Sequence, residues 1–294
     1  MLRASFTTNY DNWVNADEKT PRCRLGIIRL SPESEEHEMI SAPPLRIDDR
    51  QRAEYRDRGY FILPGVIGQD ELRVLRAECD ASVARMDARM DARMDAAGKT
   101  SDGINVRNSK YFVNFVSQET DALDRFLYGD LMEEICRATI GDDAFLFYDQ
   151  FVVKGTDRSS SFAWHQDSGY VGYEHRPYLT CWCALDDVSV ANGTVHVLPY
   201  DRAGTRAMAE HRWVESENAR VGYFGNDPGD PVIVPAGSIA VFSSLTFHRS
   251  GANSTERMRR AYVVQYSPEL LYTPDHTKLH ALGVPFLSGG KRVR

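Results

Sequence analysis

The chain has 294 residues, of which 42% are hydrophobic, enough to bury a full core in one large domain with appendages. A formal net charge of -7 denies it the basic footprint that nucleic acids and anionic membranes require, and no apolar run approaches the roughly 20 residues that cross a bilayer. The opening MLRASFTTNYDNW lacks the apolar stretch of a secretory signal, so a soluble cytoplasmic protein with neither nucleic-acid nor membrane partners is expected.

Residues 1–45, through SPESEEHEM and SAPPL, mix charge, Pro and Ser without a period and read as a mobile extension ahead of a single domain at 46–294. Met39 opens MISAPPLRIDD and would itself make a natural start. From Asp48, DDRQRAEYRDRG reads as a short charged helix closed by Gly59, and YFILPGV as a strand. QDELRVLRAECDASVARM sets Leu72, Leu75, Cys79, Val83 and Met86 at steps of three and four, the spacing of an amphipathic helix. It runs into ARMDARMDARMDAAG, a four-residue unit in three copies that stacks Arg85, Arg89 and Arg93 at i,i+4 and Asp87, Asp91 and Asp95 likewise. Like charges stacked in this way predict a surface helix ended by Gly98, not a binding box. GKTSDGINVRNSK, residues 98–110, reads as a loop able to cover a pocket.

LMEEICRATIGDD predicts a last helix ended at Gly141, after which FLFYDQFVVKG, YLTCWCALDDV, GTVHVLP, DPVIVPAG, SIAVFSS and RAYVVQYSP are rich in Val, Ile, Phe or Tyr and bounded by turn residues. Helices first and strands later predict a mainly β core with helices on one face, a sandwich or barrel. The five cysteines, Cys23, Cys79, Cys136, Cys181 and Cys183, are odd in number and contain no CxxC pair, so neither a disulfide framework nor a zinc ribbon is expected. Cys181 and Cys183 flank Trp182 on one strand and read as small packed hydrophobes.

AWHQDSG, residues 163–169, holds His165 and Asp167 two apart, and in extended chain such residues project to the same face. A surface loop, a proton relay or a metal site all suit that pair. PAGSIAVFSSLTFHRSGANSTERMRRAYVVQYSP reads as a strand ending at His248, a turn-rich connection, and a returning strand that starts with Arg259 and Arg260. His165, Asp167 and His248 together make the two-imidazole, one-carboxylate set that binds Fe(II) on one side of an octahedron and leaves positions open. The same set also holds catalytic zinc in hydrolases, so that reading stays open. His196, in TVHVLP, reads as a sheet-face histidine; His175, His211, His276 and His280 lie in polar surroundings and read as surface.

HQDSGY, RPYLTCWCALDD, ANGTVHVLP, AGSIAVFSSLTFHRSG and the following NSTERMRR resemble the phytanoyl-CoA dioxygenase family of Fe(II)- and 2-oxoglutarate-dependent oxygenases over about residues 48–268. The resemblance implies a double-stranded β-helix, a jelly-roll or cupin-like barrel with flanking helices. It assigns His165, Asp167 and His248 to the metal, and implies Fe(II), 2-oxoglutarate and O2 with a small-molecule substrate. Arg259 falls where the family's arginine pairs with the far carboxylate of 2-oxoglutarate, Arg257 being the weaker rival and Arg260 pointing to the opposite face. Ser250, Trp182 and Gln150 match further cosubstrate contacts. With Asp167 in place of a small residue, halogenation is disfavoured, and hydroxylation, desaturation and ring formation stay open. The chain departs from the family at PYDR, residues 199–202, where a PGSH turn is common. A catalytically silent binding protein of the same fold is the remaining alternative.

Overall fold

The computed structural model describes residues 46–97, 105–156 and 161–294, so the expected extension, its Met39 start and the first part of the 98–110 loop lie outside the described residues. The chain opens with helix α1, Asp49–Arg58, set by a capping box in which Asp48 accepts from the Gln51 backbone at 2.7 Å and Gln51 accepts from the Asp48 backbone at 2.9 Å. Strand β1, Tyr60–Leu63, helix α2, Gln69–Ala97, strand β2, Lys110–Asn114, and helices α3, Asp124–Leu127, and α4, Asp130–Thr139, follow. The β-rich part comprises β3, Ala144–Lys154, β4, Phe162–His165, β5, Leu179–Ala184, and β6, Val195–Leu198, then the helical turn α5, Tyr200–Ala203. It continues through β7, Arg212–Val214, β8, Ala219–Val221, β9, Asp230–Pro231, β10, Ile239–Ser243, β11, Phe247–Ser250, β12, Arg259–Ser267, β13, Val284–Ser288, and β14, Lys291–Arg292.

An eight-stranded antiparallel sheet runs β1-β10-β5-β12-β3-β13-β14, with β2 also on β3, and faces a four-stranded sheet β4-β11-β6-β9. The two sheets are not joined into a closed barrel by hydrogen bonds among the described residues; the architecture is a double-stranded β-helix with open edges. The period of two along each strand sorts side chains by face. Cys181, Cys183, Val241, Tyr262 and Val264 point to the helices and pack with Leu72, Leu75 and Cys79 of α2 and Met132, Ile135 and Cys136 of α4. Each such fully buried aliphatic side chain contributes about 2 kcal/mol. The alternate residues, Trp182, Ala184, Ala240, Ala261 and Val263, point inward and meet Val195 and Val197 of β6.

Two expectations need correction. The strand was expected to end at His248, but β10 stops at Ser243 and the chain crosses to the small sheet over a turn in which the Thr246 backbone donates to the Ser243 carbonyl at 2.8 Å and the Thr246 hydroxyl to the Gly59 carbonyl at 2.9 Å. His248 therefore lies on β11, its own strand in the other sheet. DPVIVPAG is not one strand: it forms the two-residue β9, a 2.9 Å backbone hydrogen bond from Val232 to the Val195 carbonyl, and a bridge from Val234 to Val188. The charged repeat is less idle than stacked like charges suggest. Asp87 accepts from the Tyr111 hydroxyl at 2.7 Å, Asp91 pairs with Arg107, and Arg85 and Arg89 both reach Glu119 at 3.2 Å. These contacts tether the neighbouring 105–119 segment to α2.

Candidate active site

His165 closes β4 and is the register partner of His248 on β11, so the two imidazoles leave adjacent strands on the same face with ring centroids 4.1 Å apart. Gln166 keeps an extended backbone, φ -109° and ψ 139°, which returns Asp167 to the side of His165 before the chain enters a 3-10 turn. The Asp167 Oδ1 atom lies 3.5 Å from His248 Nε2 and 3.9 Å from His165 Nε2, and one donor atom from each of the three residues falls within 4.8 Å of the others.

The outer atoms of this trio are fixed by backbone and neighbouring strands. His165 Nδ1 lies 2.8 Å from the Ala163 carbonyl and His248 Nδ1 3.1 Å from the Thr246 carbonyl; a carbonyl only accepts, so each Nδ1 carries a proton and each Nε2 is the nitrogen turned inward. Burial, reinforced by the adjacent His248, lowers the pKa of His165 and keeps it neutral. Asp167 Oδ2 accepts from the Thr180 hydroxyl at 2.7 Å and the Gln265 amide at 3.0 Å, leaving Oδ1 for the centre. Imidazoles with their far nitrogens tethered and an oriented carboxylate are what a divalent ion requires of its ligands, so the donor set fits iron.

The large sheet supplies the rest. Its inward face carries rows of register partners: Tyr148, Gln265 and Thr180, then Gln150, Val263 and Trp182, and at the strand end Lys110, Lys154 and Arg259. Arg259 is 1% exposed, its Cζ lies 5.4 Å from the centre of the Trp182 ring, and its Nη2 donates to the Gly193 carbonyl at 3.1 Å. Among the described residues its Nε and Nη1 have no hydrogen-bond partner. Buried N–H groups are almost always paired, so an orphaned guanidinium beside a metal-type trio fits an anionic ligand. Ser250 sits two residues beyond His248 on β11, about 7 Å along the strand. Trp182 and Gln150 share the inward face; Arg257 is exposed, and Arg260 turns outward to pair with Asp186 at 2.7 Å and Asp80 at 3.0 Å, clamping α2 to the sheet.

His196 points away from the centre, since its register partner is Arg249 while that of His248 is Val197, and it contacts the Pro228 carbonyl at 3.2 Å. His211 is not the surface residue expected. Its Nε2 accepts from the Gln166 backbone at 2.9 Å, and a Cβ on Gly169 or Gly222 would come within 2.5 Å of its ring. Half-buried, and lowered in pKa first by that burial, it props the turn between His165 and Asp167. The PYDR departure forms α5, held where Arg202 pairs with Asp227 and Asp230. Lys154, Thr180, Gln265 and His211 escaped the sequence reading. For Lys154 a signal existed: it stands four residues after Gln150 on one strand and so shares its face.

A three-residue cluster able to hold a metal ion and a buried guanidinium, set on a double-stranded β-helix, are the features to set beside known proteins. The family model of phytanoyl-CoA dioxygenase (PhyH) matches residues 55–261, and the chain belongs to that family. It is 23% identical over 222 residues to the peroxisomal phytanoyl-CoA dioxygenase of Mus musculus, covering 72% of this chain and 65% of that one, just under two thirds of the mouse protein's length. It is 23% identical over 223 residues to a methylphosphonate hydroxylase of Gimesia maris, covering 75% of this chain and 81% of that one. Among solved structures, the alpha-ketoglutarate-dependent carbocyclase SnoK from nogalamycin biosynthesis shares the fold with a TM-score of 0.60 at 20% identity, covering 84% of this chain and 97% of that one. EvdO2 from Micromonospora carbonacea var. aurantiaca, complexed with 2-oxoglutarate, aligns with a TM-score of 0.55 at 22% identity over 77% and 96% of the two chains.

Proposed function

We propose that the chain is an Fe(II)- and 2-oxoglutarate-dependent oxygenase that oxidises a small-molecule metabolite and releases succinate and CO2, residues 46–294 acting as one domain. His165, Asp167 and His248 would hold the metal. Arg259, with Ser250, would hold the far carboxylate of 2-oxoglutarate, with Trp182 and Gln150 lining its length. The observation that carries this reading is the buried guanidinium with unanswered Nε and Nη1 beside the three-residue cluster. A zinc hydrolase on the same trio leaves that guanidinium without a purpose.

Bound there, Fe(II) supplies the redox chemistry, activation of O2 coupled to oxidative decarboxylation of 2-oxoglutarate. The chain's own residues orient and exclude. Asp167, fixed through Oδ2, offers a single oxygen, and the carboxylate fills the position a chloride would need, which favours hydroxylation, desaturation or ring formation over halogenation. Arg259, buried among inward-facing apolar residues, offers its N–H groups in a site largely stripped of water, where a charge-assisted pair is strongest. Tyr170, 55% exposed and edge-on to His165 at 5.5 Å, borders the open side where a substrate would approach. The relatives' names cover an acyl-CoA and a phosphonate, so the family leaves the substrate open; a small natural-product intermediate is the reading we favour. No helix among the described residues is long and apolar enough to cross a membrane. The net charge of -7 supports the absence of nucleic-acid and membrane partners, and the free, buried Cys79, Cys136, Cys181 and Cys183 are in keeping with a reducing cytoplasm.

The test is succinate release, measured with a panel of metabolites under air. Release that requires both Fe(II) and 2-oxoglutarate is expected. Absence of any 2-oxoglutarate consumption, coupled or uncoupled, would overturn the proposal.

A further inference from the structure

The strand end that holds Arg259 carries a second buried basic side chain. Lys154, the last residue of β3, is the register partner of Arg259, the first of β12, and the two are 0% and 1% exposed. Lys154 Nζ contacts Ser250 Oγ at 2.8 Å, donates to the Gly251 carbonyl, and lies 4.6 Å from the centre of the Phe162 ring. The charged groups facing it are Arg259 from β12 and Lys110 from β2; β4 presents Phe162 and β11 presents Ser250. None is acidic. Asp186, the carboxylate whose field reaches Arg259, is already bound to Arg260 on the opposite face of the sheet.

We propose that Lys154 is a positioning residue of the cosubstrate site: it takes up a proton as the far carboxylate of 2-oxoglutarate binds, and by then donating to Ser250 Oγ it turns the serine hydrogen toward that carboxylate. The inference rests on the oxygenase reading above and deepens it. Two cations side by side in a buried site repel, and each loses hydration, so the weaker base gives up its proton first. Burial, with Arg259 adding to it, lowers Lys154 to about 6, while burial lowers Arg259 to about 10 and leaves it charged at neutral pH. A neutral amine has a lone pair and accepts from the serine O–H, which then points away from the ligand. An ammonium only donates, so the serine hydrogen is released to the incoming carboxylate. The proton comes from solvent, and the arriving anion supplies the charge that stabilises it.

The sign follows. The ligand raises the lysine pKa above its free value, so affinity is greatest below about pH 6 and falls as pH rises toward the bound value, by up to about tenfold per pH unit. Calorimetric titration of 2-oxoglutarate into the Zn(II)-loaded protein at pH 8, in two buffers of different ionisation enthalpy, counts the protons. Wild type should take up about one proton per ligand, while Lys154→Met should take up none and bind about 10–100-fold more weakly. With 2-oxobutyrate, which lacks the far carboxylate, wild type should show no uptake; this comparison decides the matter even should the variant not fold. Equal proton counts in wild type and Lys154→Met, or the same uptake with 2-oxobutyrate, overturn the proposal. Failure of wild type to bind 2-oxoglutarate at all overturns the oxygenase reading and this inference with it.

Discussion

At the corner formed by His165, Asp167 and His248, each outer polar atom has a partner: the Ala163 and Thr246 carbonyls on the two Nδ1 atoms, Thr180 and Gln265 on Asp167 Oδ2. The inner donor atoms converge instead on one another. At the corner formed by Arg259, Lys154 and Ser250 the balance is reversed, with two basic side chains, no acid among the described residues and a guanidinium that has unanswered N–H groups. The first corner is rich in lone pairs and short of positive charge; the second is rich in donors and short of negative charge. The small sheet contributes to both through β11, which carries His248 and, two residues on, Ser250. A dicarboxylate chelating a cation at one end and ion-paired at the other satisfies both deficits at once.

Breaking the first corner should have the largest effect. His165→Ala and His248→Ala each remove a proposed ligand, and Fe(II) affinity measured by metal titration should fall beyond the roughly 100-fold that follows loss of a ligand's supporting partner, with succinate release at background. Retained turnover in either variant would remove that residue from the metal site. A milder change sharpens the comparison: Thr180→Val keeps the side-chain shape but strips Asp167 Oδ2 of its 2.7 Å hydrogen bond. Metal affinity should drop about 10–100-fold while the far-carboxylate corner is unaltered. An equal loss of 2-oxoglutarate affinity at saturating metal would mean that the two corners are not separable.

Much of this was legible because strands count in twos. The H-x-D spacing put His165 and Asp167 on one face, and alternation from Arg259 to Arg260 separated the buried guanidinium from the one that clamps α2. The crossing of the chain between sheets at residues 244–246 was not legible, because AGSIAVFSSLTFH reads as one strand up to His248, whereas a hydroxyl of Thr246 reaches Gly59, 187 positions away, at the break. Thr180 and Gln265 escaped for the same reason. Their contacts with Asp167 span 13 and 98 positions, and only the folded sheet order brings them together. His211, 45 positions from Gln166, looked like a surface residue because its neighbours in sequence are polar, whereas its neighbours in space include two glycines that close on its ring.

The claim that one dicarboxylate bridges the two corners is tested most directly by titrating 2-oxoglutarate into the Fe(II)-loaded protein without oxygen and following the weak visible charge-transfer band of the chelate, in wild type and in Arg259→Ala. The band should develop in both, with its midpoint shifted upward by about 100-fold in the variant, the cost of two charge-assisted hydrogen bonds. A wild-type protein that gives no band, or an unshifted midpoint in Arg259→Ala, would contradict the account.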